Sequence, residues 1–257
     1  MKHYFAVVLA AFGLAVMPLK AQETTLNTVS FNGFRFQYPA DLASSLQVSE
    51  VAGIVPQSPD GSPTVFDAPP YLEFFLTTTT PYQNQAFVQA DRLRVYRLAD
   101  FPGYGTYYLD QATALQALLD EQPDLTTIKP TLPFMAGAYL QIIRSREAYV
   151  ESDTLRGIRY ISEFTPGAVF PILSGTMVYT YQALSNDGQY YVTADFYMAT
   201  PLFPATIEFD YSPEAVATIT EDYYAAGQAL MDAAQPTDFT PNLTVIEEIF
   251  ASMELEP

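Results

Sequence analysis

Between residues 176 and 199, apolar and polar positions alternate around a single turn. With Asp187-Gly188 at the turn, Ala183 falls opposite Val192, Tyr181 opposite Ala194, Tyr179 opposite Phe196 and Met177 opposite Met198. Every one of these pairs is apolar. The other side sets Gln182 against Thr193, Thr180 against Asp195, Val178 against Tyr197 and Leu184 against Tyr191. A slip of one residue would turn the whole apolar set away from the core, so the side chains alone specify the register of an antiparallel hairpin.

The same two-residue period predicts further strands. A hairpin over 28–38 centres on Asn32-Gly33, a dipeptide suited to a turn with positive φ at both positions, flanked by Phe31 and Phe34. Strands are also predicted over 46–54, 71–76, 92–98 and 158–165. The segment 138–150 reads as a strand or as the opening of a short helix, and 56–70 as an exposed loop rich in Pro and Gly. Helical spacing of Ala112, Leu115, Leu118 and Leu119 predicts a helix over 110–122, stopped by Pro123. Ser212-Pro213-Glu214 combines a cap, a first-position proline and a first-turn acid. It predicts a helix running to about 234, with an apolar stripe of Val216, Ile219, Tyr223, Ala226 and Leu230. A last helix, starting at Thr240-Pro241, would bury Leu243, Ile246, Ile249, Phe250 and Met253. Consecutive strands with one central helix and two at the end predict the α+β class: an antiparallel sheet with helices packed mainly on one face. No linker-like run divides the strands, so 22–257 is expected to form a single domain.

Charge narrows the choice of partners. The 257 residues are 49% hydrophobic and 16% charged, with 11 Lys and Arg against 29 Asp and Glu, a net −18. Nucleic acid is disfavoured, because phosphate binding needs clustered cations. Arg159 is the last basic residue, whereas 14 acids lie between 160 and 257. Any ion pair those acids make must reach back to an arginine between 35 and 159 or to Lys129.

The N-terminus implies export. Residues 1–21 have the form of a signal peptide: Lys2, an apolar run over 4–17, and Ala21 before a cut ahead of Gln22. That run is shorter than the roughly 20 residues that span a bilayer, so the mature chain is expected to have no membrane span and to be secreted or periplasmic. Cleavage would also remove His3, the sole histidine.

Several chemistries then drop out. There is no cysteine for a thiolate or a disulfide, and no imidazole base for a serine. A lysine base could only be Lys129, which has no serine near it in sequence. Carboxylate-only chemistry survives, of the kind in which two acids about 5–10 Å apart flank a sugar. Ca²⁺ is the metal that oxygen-only ligands would serve. No D-x-[DN]-x-[DN]-G loop is present, however, so no cofactor is expected. Arg92 and Arg94 share a strand face and are expected to pair with acids. The candidate ligand-binding residues are those on the polar side of the 176–199 hairpin: Thr180, Gln182, Tyr191, Thr193, Asp195 and Tyr197. Tyrosine there combines apolar area with a hydrogen-bonding tip. The competing reading is an ordinary sheet face, solvated or covered.

The sequences GIRYI at 157–161, YTYQAL at 179–184, DGQYYV at 187–192, PLFP at 201–204 and FTPNL at 239–243 resemble a family of exported bacterial proteins with no assigned activity. The opening FRFQYP at 34–39 is similar to the start of the photosystem extrinsic-protein fold, an antiparallel sheet between helices. Neither likeness supplies a functional residue. The expectation is an exported, non-catalytic binding or accessory protein for an extracellular or periplasmic protein or polymer. The alternative is a carboxylate-dependent extracellular hydrolase acting on glycans.

Overall fold

The structure, a computed structural model, describes residues 25–54, 68–78, 91–135, 140–165, 170–204 and 212–256. The expected leader and most of the 56–70 loop lie outside them. The chain begins with β1 (Leu26–Phe31) and β2 (Phe34–Pro39), joined by the expected turn, where Asn32 and Gly33 both take positive φ (48° and 77°). Then come β3 (Ala43–Val51), β4 (Tyr71–Thr78) and β5 (Asp91–Arg97). A 3-10 turn over Leu98–Tyr104 leads into α1 (Thr106–Glu121). Next are β6 (Leu140–Glu151), β7 (Leu155–Thr165), β8 (Met177–Ser185) and β9 (Tyr190–Met198). The short α2 (Pro213–Val216), α3 (Glu221–Ala233), α4 (Leu243–Ala251) and a two-residue β10 (Glu254–Leu255) complete the order.

Seven strands make one antiparallel sheet in the order β3-β4-β5-β9-β8-β7-β6, and β1-β2-β10 make a small second sheet. The β8–β9 register pairs Met177 with Met198, Tyr179 with Phe196, Tyr181 with Ala194 and Ala183 with Val192, as the alternation requires. The fold is therefore α+β with C-terminal helices.

Both faces of the large sheet are covered. On the first face, Met177, Tyr179, Tyr181, Ala183, Val192, Ala194, Phe196 and Met198 are buried with Phe34 and Phe36 of β2 and with Leu243, Ile246, Ile249 and Phe250 of α4. The Phe250 ring lies 5.3 Å from those of Tyr179 and Tyr181, so one aromatic side chain anchors α4 to the sheet centre. Helix α3 packs along β6 on this side. On the second face, Tyr96, Ile158, Tyr160, Leu184 and Tyr191 meet Phe101, the buried residues of α1, and Leu125, Leu132 and Met135 from the segment that follows it. Ala112, Leu115, Leu118 and Leu119 supply the α1 side, as their spacing predicted.

One open choice is settled and two expectations change. The segment 138–150 is a strand throughout its described part. Helix α1 starts at Thr106, four residues early. The helix expected from Ser212 to about 234 is two helices: Ser212 caps the single turn α2, and Thr220 caps α3 through its bond from Tyr223 N–H. Because the chain breaks at 217–220, the helical phase is not carried across. The buried side of α3 is set by Gly227 and Met231, while Leu230 is half exposed. The final helix holds as predicted. Leu243, Ile246, Ile249, Phe250 and Met253 are all buried, and Asn242 rather than Thr240 caps it.

Candidate functional site

Strand alternation brings the six candidate residues onto the second face of β8 and β9, as expected. It does not leave them open. Thr180, Gln182, Tyr191, Thr193 and Asp195 are buried, and only Tyr197 is partly exposed. The segment carrying Phe101, α1 and the residues up to Met135 closes over the Tyr191 side of this face.

Within that layer three hydrogen bonds link Tyr191, Gln182, Thr180 and Asp195 in sequence, while Thr193 Oγ1 is buried with no hydrogen-bond partner among the described residues. The Tyr191 hydroxyl donates to Gln182 Oε1 at 3.0 Å, Gln182 Nε2 donates to Thr180 Oγ1 at 2.7 Å, and Thr180 Oγ1 donates to Asp195 Oδ1 at 2.6 Å. Strand β5 then completes the charge balance, because its register sets Arg92 opposite Asp195 and Arg94 opposite Thr193. Glu73 on β4 stands opposite Arg94 and accepts from its Nε at 3.1 Å, with Arg92 at 4.0 Å. Arg92 and Arg94 therefore pair with acids, as their shared face predicted.

Burial pushes the Asp195 carboxyl above its ordinary range, against the pull of Arg94, the Thr180 hydroxyl and Arg92. Burial likewise disfavours the charge of Arg94, but Tyr96, Asp195 and Glu73 outweigh it and keep the guanidinium protonated. Tyr160 and Tyr191 are raised well above a normal phenol, chiefly by burial, and stay neutral. Such a row supplies no activated nucleophile. It forms a buried hydrogen-bonded band that rigidifies the sheet.

An open site lies elsewhere, at the end of the sheet. The β1–β2 turn leans toward the last residues of β3, where Asn32 Nδ2 donates to Glu50 Oε1 at 2.6 Å. Between them and the ends of β4, β5 and β9 lies a cleft of about 490 Å³. Its polar lining is Asn32, Glu50, Tyr71, Arg97, Asp100 and Tyr190, over a floor that includes Leu72 and Val95. Arg97 is exposed and has no ion-pair partner among the described residues. The cleft thus offers a free guanidinium, an amide, two carboxylates and two phenols around an apolar base. That mixture suits recognition of a polar chain with some apolar surface.

Sequence reasoning missed both Glu73 and the cleft. Glu73 could have been found from its place in an apolar strand beside an Arg-bearing one, had the β4–β5–β9 order been known. The cleft had no local signal, since Asn32 was legible as a turn residue and its docking against β3 is a tertiary fact. Among the described residues, no group of three or more His, Cys, Asp or Glu side chains gathers as metal ligands, and no helix is long and apolar enough to cross a membrane. No protein-family model, curated protein or solved structure matches the chain.

Proposed function

We propose that this chain is an exported, non-catalytic binding or accessory protein whose ligand is a segment of an extracellular or periplasmic protein or polymer. The cleft of Asn32, Glu50, Tyr71, Arg97, Asp100 and Tyr190 carries the reading. It sets Arg97, which makes no ion pair among the described residues, beside phenols that recognise ligands at low entropic cost. On the sheet face, Tyr191, Gln182, Thr180 and Asp195 are bonded to one another and buried instead. Export rests on the leader-like residues 1–21.

The test is a thermal-shift screen of the purified protein against panels of oligosaccharides and synthetic peptides, repeated with Arg97→Ala and Tyr190→Ala. A hit whose shift disappears in both variants supports the cleft, and one whose shift survives both removes it. Mass spectrometry of the secreted protein should find Gln22 at its N-terminus.

One observation keeps the hydrolase alternative in play: Glu50 and Asp100 line the same cleft. Glycoside turnover lost in Glu50→Gln and Asp100→Asn would favour it. Inactivity across a broad glycoside panel would retire it.

A further inference from the structure

The two edges of the large sheet are treated differently. At β6, the register with β7 breaks twice, between Gln141 and Ile143 and between Ser145 and Ala148. Arg146 sits in the second break with a φ of 59°. Its N–H reaches Asp232, and its guanidinium turns to the Met231 and Ala234 carbonyls at the end of α3. That edge is bulged and tied to a helix, which blunts it against pairing with another chain.

Strand β3 has no such protection. It is nine residues long, and its one irregularity lies at its start, between Ala43 and Ser45. From Leu46 to Val51 it pairs regularly with β4 on one side. Beyond that ladder, its hydrogen bonds run from Ser44 and Ser45 to Thr77 and from Asn32 to Glu50, so among the described residues its outer edge is bare. It carries no Lys, Arg or Pro, and Val48 is 37% exposed.

We propose that β3 pairs antiparallel with β3 of a second copy, about a two-fold axis through Gln47, so that one sheet continues across two chains. The strand is complementary to itself in that register. Leu46 meets the other chain's Val48, and Val48 its Leu46, giving two apolar pairs on the face where Leu46 already packs against the core. Ser45 meets Ser49 on the other face, and Glu50 meets Ser44, so no like charges stand opposite each other. Centring the axis on Val48 instead would set Leu46 against Glu50. The six-residue β1, the exposed edge of the small sheet, is the competing site.

Charge makes this pairing distinguishable from an ion-pair interface. Each full-length copy carries a net −18, and loss of residues 1–21 removes only bases (Lys2, Lys20), so the chains repel and association should strengthen as salt shortens the screening length, about 10 Å at 0.1 M. Sedimentation equilibrium of the purified protein over a range of concentration and salt is expected to give the dimer mass, with tighter association at high salt. Val48→Lys should raise the dissociation constant about tenfold or more while leaving unchanged the melting temperature measured at a dilution where the parent is monomeric. It lowers the net negative charge, so general electrostatics would act in the opposite direction.

The native chain has no cysteine, which permits a second arm independent of that variant. Gln47→Cys would face itself across the axis and, on mild oxidation, should give a disulfide-linked dimer in high yield, while Phe31→Cys on β1 stays monomeric. A monomer at every concentration and salt overturns the proposal. So does preferential cross-linking of Phe31→Cys.

Discussion

Thr180 and Asp195 face each other across the β8–β9 register, and the threonine hydroxyl donates to the carboxylate at 2.6 Å inside a layer closed to solvent. The acid also answers Arg94, itself largely buried between Asp195 and Glu73. Removing one partner of such a set leaves a buried charge short of compensation, a loss of about 3–5 kcal/mol. Asp195→Ala is therefore expected to fall in that range by urea denaturation. Asp195→Asn, which still accepts from Thr180, should lose less. A change below about 1 kcal/mol for Asp195→Ala would show that the band contributes nothing to stability.

Gly157 on β7 is a position where only a hydrogen fits. A Cβ there would lie 2.5 Å from Tyr181 Cε2 and 2.6 Å from the Gln182 carbonyl oxygen, and that oxygen belongs to a backbone held in its ladder. Alanine elsewhere in a strand is better than glycine, but here it must push two strands apart. Gly157→Ala is predicted to destabilise by about 3 kcal/mol, the upper end for overpacking. A melting temperature equal to or above that of the parent would contradict the close approach.

The hairpin of β8 and β9 was readable in the sequence because nine-residue strands with a buried face leave one register open, and Met177 to Met198 took it. The same alternation misled about the opposite face. Thr180, Gln182 and Thr193 look solvated by type, yet Thr180 and Gln182 bond to one another, to Asp195 and to Tyr191, Thr193 is buried opposite Arg94 of β5, and the lid comes from α1, which local periodicity does not place. The stripe read through Ala226 and Leu230 failed for a related reason. Thr220 can cap a helix as well as extend one, and it took the cap. What lay in one strand pair or one helix was legible; what depended on strand order was not.

Helix α4 is fastened to the sheet by a polar contact beside its apolar one. Glu247 Oε1 accepts from the Tyr179 hydroxyl and from Arg159 Nη1, both at 2.8 Å. This is also where an acid from the base-free C-terminal stretch reaches back to an arginine before residue 160, as Glu254 does to Arg35 at 3.9 Å. The Arg159 and Glu247 side chains remain 22% and 34% exposed, so screening limits the pair. A double-mutant cycle of Glu247→Gln and Arg159→Ala should give a coupling of about 1 kcal/mol that shrinks with added salt. A coupling of several kcal/mol, unchanged by salt, would mean the pair is sealed from water.

Glu163 supplies the pH dependence. Its carboxyl is buried beneath the 170–176 segment, where it accepts from Thr176 Oγ1 at 2.7 Å and from the Leu173 N–H, and its Oε2 has no hydrogen-bond partner. Burial raises its pKa from 4.5 to about 7, with the Thr176 and Leu173 bonds opposing the rise and no cation among the described residues assisting them. Between those two values the folded chain holds a proton that the unfolded chain has released. Stability must then fall as pH rises from about 4.5 to about 7 and level off above, by on the order of 3 kcal/mol. Glu163→Gln cannot titrate, so the difference between parent and variant, followed by denaturation across that window, isolates this one group from the other acids. The variant should gain on the parent steadily as pH rises through the window. Parallel curves would place the Glu163 proton in water rather than under the loop.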